Sequence, residues 1–195
     1  MSDTATTRLE RRSRQRAQSR AAILEAARTV AARDGARDFS LRSVAAEAGF
    51  APAALYGYFA NKDELLLALA ADDLAALARA MREAGGSRPV LVRTATAALE
   101  LLRHNETFAA AQGSLPPHQG TSEAERLFNG RLIAVLKVLS EALGSKAHSR
   151  DGQRDVVLLA ATLAGLALLA RSGRLAALGF TPEELLQCLD RHFGA

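Results

Sequence analysis

The chain has a single cysteine, Cys188, among 195 residues. An intramolecular disulfide and a cysteine-based zinc site are therefore both excluded. Tryptophan is absent, aromatics make up 5% and there are only 5 prolines, whereas alanine and leucine abound. That balance favours helix over strand, and no apolar–polar alternation of the strand type occurs. The four histidines, His104, His118, His148 and His192, show no metal-ligand spacing, so neither a metal nor a cofactor is expected. Ser/His/Asp arrangements, phosphate-cradling glycine loops and paired carboxylates in motif context are also missing, which argues against an enzyme. Cys188 lies in an apolar helical pattern and reads as a packed residue rather than a nucleophile. The most apolar stretch, Val156 to Ala170, is interrupted by Thr162 and Gly165. It falls short of the roughly 20 residues a bilayer span needs and reads as a buried helix. With no secretion-type apolar run at the N-terminus, a cytoplasmic location and no membrane partner are expected.

Charge is unevenly placed. Residues 1–62 carry 11 Lys/Arg against 6 Asp/Glu, a balance of +5 (11 − 6), and residues 63–195 carry 14 against 15, a balance of −1 (14 − 15). A basic first third on a near-neutral body points to a polyanionic partner for that third alone, the alternative being a solubilising tail.

Residues 1–16, with Arg8, Arg11, Arg12, Arg14 and Arg16, read as a flexible basic arm. A helix follows from Ala17, carrying Ile23, Leu24, Ala27 and Val30 at helical spacing and stopped by Gly35. Ser40 is placed to cap a short second helix that ends at Gly49, and Pro52 suits the first turn of a third. Asn61 and Glu64 form a capping pattern that opens a long fourth helix, Lys62 to about Ala84. Gly85, Gly86 and Ser87 break it. A fifth helix is expected from Pro89 to about Gln112, then a loop with Pro116 and Pro117. Ser122 and Glu125 open the next helix, to Leu143, and residues 144–152 read as polar and mobile. An apolar helix from about Gln153 to Leu175 and a last helix capped by Thr181, with Pro182 and Glu184 in its first turn, complete the pattern.

The sharpest signal is Leu41 to Phe59. Two short helices that cross steeply need a small residue in the first and a left-handed backbone at the turn. Ala45 and Gly49 supply these, and Val44, Ala48, Phe50, Leu55 and Tyr58 offer a shared apolar seam. The Ala45–Gly49 spacing alone would equally suit an arbitrary helical hairpin; the caps, the seam and the basic arm together favour a helix-turn-helix.

The run Ser40 to Leu66 resembles the DNA-binding domain of the TetR/AcrR family of repressors, in features that appear here as Gly35, Ser40, Ala45, Gly49, Tyr56, Phe59 and Lys62. The resemblance implies an all-α protein. A three-helix DNA-binding domain (17–61) would precede a helical ligand-binding and dimerisation domain (62–195). It also implies a regulator, such as a repressor released from a palindromic double-stranded DNA operator by a small effector. Tyr56 and Lys62 resemble phosphate contacts. Gly57 and Tyr58 resemble family positions near the backbone or groove, although the seam could claim Tyr58. Ser40 is placed to bond a phosphate, although capping alone explains it. Arg42, in the first turn of the second helix, reads equally as a phosphate or base contact and as a surface charge. Where the family commonly has Ser or Thr at the recognition helix, this chain has Ala51, followed by Pro52, Ala53 and Ala54. These present methyl groups, which suit thymine methyls but make few hydrogen bonds to base edges.

In the resembled family the last two long helices pair with their mates in a homodimer. Leu158, Leu163, Leu166 and Leu168 give the penultimate helix apolar surface nearly all round, which fits two-sided burial. Candidate effector contacts are His104, Asn105, Phe108 and Gln112, with Phe128 and Thr162 from neighbouring helices. A small apolar or amphipathic effector is expected. The competing reading is a helical ligand-binding protein or enzyme with no role at DNA.

Overall fold

The computed structural model describes residues 3–86, 90–105 and 122–194, with side chains from residue 8 onward except at 35–38. Helix α1 spans Asp3–Asp38. The expected arm is thus helical from its third residue, because Arg, Gln, Glu and Ala are all good helix formers. A Glu10–Arg14 pair one turn apart, at 3.7 Å, adds to this. Gly35 does not stop α1. One glycine costs about 1 kcal/mol inside a helix and cannot by itself end one. The stop comes at Ser40, whose backbone is extended (φ −145°, ψ 156°).

The next helices are α2 (Leu41–Ala48), α3 (Pro52–Leu55) and α4 (Lys62–Ala84). The Asn61 side chain caps α4 by accepting from the Glu64 N–H at 2.8 Å, while Glu64 reaches back to the Ala60 N–H at 2.6 Å. Then come α5 (Val90–His104) and α6 (Glu123–Leu143), the latter capped by Ser122. The expected continuation of α5 to Gln112 and the loop at 113–120 lie outside the described residues.

Residues 144–152, read from sequence as mobile, are ordered. Gly144–His148 forms a 3-10 helix, and α7 (Arg150–Arg171) starts at once under a Ser149 cap. The physical reason is contact. Gly152 lies so close to the carbonyl of Lys146 and the Cα of Ala147 that a Cβ there would overlap backbone. Helix α7 ends earlier than expected, because Gly173 turns left-handed (φ 71°) and a separate short helix, α8 (Arg174–Ala177), follows. Helix α9 (Pro182–Phe193) carries the reciprocal Thr181–Glu184 capping box.

Two apolar clusters organise the chain. One joins Ile23, Leu24, Ala27 and Val30 of α1 to Val44 and Ala45, Leu55 and Phe59, and Leu65, Leu66 and Leu69. The other joins Leu74, Leu77 and Met81 to α5, α6, α7 and Leu186 of α9. Helix α4 therefore belongs to both. Between Leu69 and Leu74 sits Asp73, a buried carboxylate that accepts from Arg28 of α1 at 3.2 Å. By length and composition alone α7 could cross a membrane. Here Val156, Leu159, Leu163 and Leu166 bury one face in the core, while Val157, Leu158 and Leu168 on the other face are exposed.

Candidate nucleic-acid interface

The α2–turn–α3 unit is built by local backbone chemistry. The hydroxyl of Ser40 accepts from the Ser43 N–H at 3.1 Å, and the Ser43 hydroxyl accepts from the Ser40 N–H at 3.1 Å. Such a reciprocal cap satisfies two otherwise orphaned donors. At the other end Gly49 adopts φ 71°, and the Phe50 N–H closes on the Ala45 carbonyl at 2.9 Å. Only glycine takes that backbone without a steric cost. Ala45 is fully buried, which lets α1 and α2 approach. Across their crossing Arg33 donates to Glu47 at 2.9 Å and to its neighbour Asp34 at 2.7 Å. These bonds, the Asp34 one first, raise the Arg33 pKa and lower that of Asp34.

Helix α3 is one turn long. Its cap residue Ala51 makes no side-chain cap bond, and Pro52 occupies its first turn. Leu55 and Phe59 anchor it from below, fully buried. Ala51, Pro52, Ala53, Ala54, Tyr56 and Gly57 are each exposed. Tyr56 is 62% exposed, so its hydroxyl is available to a partner. Tyr58 instead packs: its ring meets Phe50 edge-on at 6.2 Å, and the Arg16 guanidinium lies 5.3 Å from its centroid. Arg42 is exposed in the first turn of α2. Ser40 is half-buried and engaged in its cap. The half-buried Lys62 opens α4 with its ammonium 5.6 Å from the Phe39 ring.

Sequence reasoning did not foresee the contacts of α1 with this unit. Arg16 donates to the Gly57 carbonyl at 2.8 Å, and the Arg20 guanidinium lies 5.2 Å from the Phe59 ring centroid. An i, i+4 arginine spacing was the available signal, hidden while residues 1–16 were read as a flexible arm.

In the second cluster an almost wholly apolar cavity of about 380 Å³ lies between α4, α5, α6 and α7. Its walls include Leu74, Leu77 and Met81, Ala98 and Leu102, Phe128, Leu132 and Leu136, and Val157 and Ala161. Of the expected effector residues, Phe128 is on this wall. His104 is exposed, with Nδ1 2.8 Å from the Glu100 carbonyl. Thr162 turns its hydroxyl onto the Leu158 carbonyl at 2.7 Å. Neither they nor Asn105 line the cavity. Phe108 and Gln112 lie outside the described residues. The α4 residues were missed because their i, i+3, i+7 spacing reads simply as core. Among the described residues no His/Cys/Asp/Glu group is arranged to hold a metal.

Residues 23–69 match the family model of bacterial regulatory proteins, tetR family. No match is found among curated proteins. Similar solved structures include a Rhodococcus sp. RHA1 protein of unknown function (TM-score 0.70, 25% identity, 90% of this chain and 93% of that one). A second was assigned as a transcriptional regulator from Pseudomonas aeruginosa PAO1 (TM-score 0.66, 25% identity, 89% of this chain and 88% of that one). FadR of Bacillus subtilis, solved with stearoyl-CoA, has TM-score 0.62 at 18% identity, over 86% of this chain and 94% of that one. Residues 23–69 thus match the N-terminal domain of the tetR family of bacterial regulatory proteins, and over most of its length the chain shares the all-helical fold of these structures.

Proposed function

We propose that this chain is a cytoplasmic, non-enzymatic homodimeric repressor, released from a palindromic operator by a small apolar or amphipathic effector. The observation that carries the reading is α4. Its first turns, with Leu65, Leu66 and Leu69, are part of the core beneath the helix-turn-helix, and Leu74, Leu77 and Met81 further along are cavity wall. An effector entering the cavity pushes on the helix that seats the DNA reader. Tilting α4 changes the separation of two recognition surfaces, and both half-sites are no longer engaged together. Differential affinity of this kind is worth about 1–3 kcal/mol.

In this reading Tyr56 and Lys62 contact phosphates, Arg42 and Gly57 approach the backbone, and the methyl surface of Ala51–Ala54 lies in the groove. Dimerisation supplies the second reader. The exposed apolar residues Val157, Leu158 and Leu168 on α7, continued by Leu178 and Phe180 before α9, support pairing through the last two long helices. The stearoyl-CoA held by the Bacillus subtilis protein of like fold indicates what a cavity of this chemistry suits: a hydrocarbon chain. Among the described residues every lining side chain is apolar, so a charged head group would sit toward the rim.

Random-oligonucleotide selection with the purified chain tests this. The expected product is an inverted repeat with half-sites centred about 34–36 Å apart or a multiple of that. Recovery of no enriched sequence would refute it. Operator affinity measured with and without fatty acids and their coenzyme A thioesters then tests release.

A further inference from the structure

We propose that the N-terminal extension of α1 is a second DNA-contacting element, which sets Arg8 and Arg12 against the phosphates flanking the base pairs addressed by α3. This rests on the DNA-binding reading above and extends it to a separate surface.

Among its described side chains, residues 8–20, the extension adds nothing to the apolar core. The α1 part of the apolar core begins at Ile23. Residues 8–20 hold six arginines and one acid, Glu10. Glu10 pairs with Arg14; no ion pair among the described residues engages the exposed Arg8, Arg11 or Arg12. A helix that keeps like charges one turn apart is working against itself unless a polyanion lies alongside.

The extension is also aimed. Arg16 ties it to the Gly57 carbonyl at 2.8 Å and lies over the Tyr58 ring, and Arg20 lies over Phe59. All three partners fall directly after α3, next to exposed Tyr56. Arg12 and Arg8 lie one and two turns further out on the same flank of α1, because residues four apart share a helix face. At 1.5 Å per residue, the step from Arg16 to Arg8 covers about 12 Å. A DNA strand presents a phosphate about every 3.4 Å along its axis, so that length passes three or four of them. Arg16 and Arg20 are positioning residues, spent on holding the helix; Arg8 and Arg12 are left to bind. A lipid surface fits less well, since Leu9 is the one exposed large apolar side chain among residues 8–20 and no apolar face exists to insert.

The test uses the full chain and its selected site on two duplexes, one extending about one helical turn past each half-site and one ending at the half-sites. Affinity is measured between about 50 and 200 mM salt for wild type, Arg8→Ala/Arg12→Ala and Ala17→Pro. Ala17→Pro keeps every charge but breaks the helix within its anchor, between Arg16 and Arg20, so that Arg8 and Arg12 lose their fixed direction. On the long duplex the double variant should lower the slope of log affinity against log salt by about 1.8 per protomer, from two lost phosphate contacts. Ala17→Pro should lower it comparably, and on the short duplex all three proteins should agree. An unchanged slope in the double variant would overturn the proposal, as would an equal drop on both duplexes. Full retention by Ala17→Pro would replace the aimed helix with a tethered cationic tail and so overturn it too. Wild-type protein that binds no duplex would instead overturn the DNA-binding reading on which this one stands.

Discussion

Arg28→Met should destabilise the fold by about 2 kcal/mol, a figure set by how the buried pair is solvated. The Arg28 guanidinium donates to Asp73 at 3.2 Å and lies 3.7 Å from both Asp72 and Glu25. The Asp73 side chain is 6% exposed and that of Arg28 32%. Removing one member of a fully buried pair costs about 3–5 kcal/mol, because the other charge stays desolvated. A hydrogen bond to a charged group is worth about 1.5–3 kcal/mol. Water reaches the arginine side, so the lower range applies. Methionine keeps the aliphatic volume, which leaves electrostatics as the main change. For a chain of this length about 2 kcal/mol lowers Tm by about 4–8 °C. Thermal unfolding followed by far-UV circular dichroism, at one protein concentration because dimers respond to mass action, reads this directly. Arg28→Met/Asp73→Leu should recover most of the loss, since hydrophobic replacement of both partners is often neutral or better. A single-variant shift of less than about 1 °C, or a double variant less stable than the single one, would refute the claim that this pair clamps α1 to α4.

Gly152→Ala should lower stability by about 2 kcal/mol, because its Cβ meets the Lys146 and Ala147 backbone and overpacking outweighs the helix propensity gained; an unchanged Tm would refute it. Lys62→Ala should reduce the salt slope of DNA binding by about one per protomer, and Tyr56→Phe should weaken binding on all sequences; an unchanged slope removes Lys62 from the phosphate contacts. Hydrogen bonds from the Thr181 N–H and hydroxyl hold the Glu184 carboxyl below its ordinary value of 4.5. The stability it contributes is therefore fully present above pH 4.5 and is lost as pH falls through the lower folded value. Carboxyl NMR should show a midpoint under 4.5, and one at or above it would refute the capping account.

Local signals carried most of the fold. Ser40, Asn61, Ser122 and Thr181 each cap the helix their position announces, since a cap is a matter of neighbouring residues. Gly49 was legible for the same reason: φ 71° in a turn selects glycine. What failed was judgement about polar segments. Residues 3–16 and 144–152 look like arm and loop when polarity alone is weighed. One is helical by propensity, and the other is held by a backbone contact at Gly152 that composition does not encode. The cavity was illegible because Leu74, Leu77 and Met81 are the same residues whether they fill a core or face a void. His104 and Thr162 stood out as polar, yet polarity turns both onto their own helices' carbonyls.

The sharing of α4 bears on how such chains can be recombined. The apolar core beneath the DNA reader begins at Ile23 and ends at Leu69, the same residues that bound the family match. A fragment cut at residue 61 would leave Leu65, Leu66 and Leu69 behind and open that core. The heritable cassette is therefore the reader plus the first three turns of α4, through Asp73, which holds Arg28 of α1. A graft spliced after Asp73 keeps both the core and this clamp, and couples the transplanted reader to whatever sensor the new body brings.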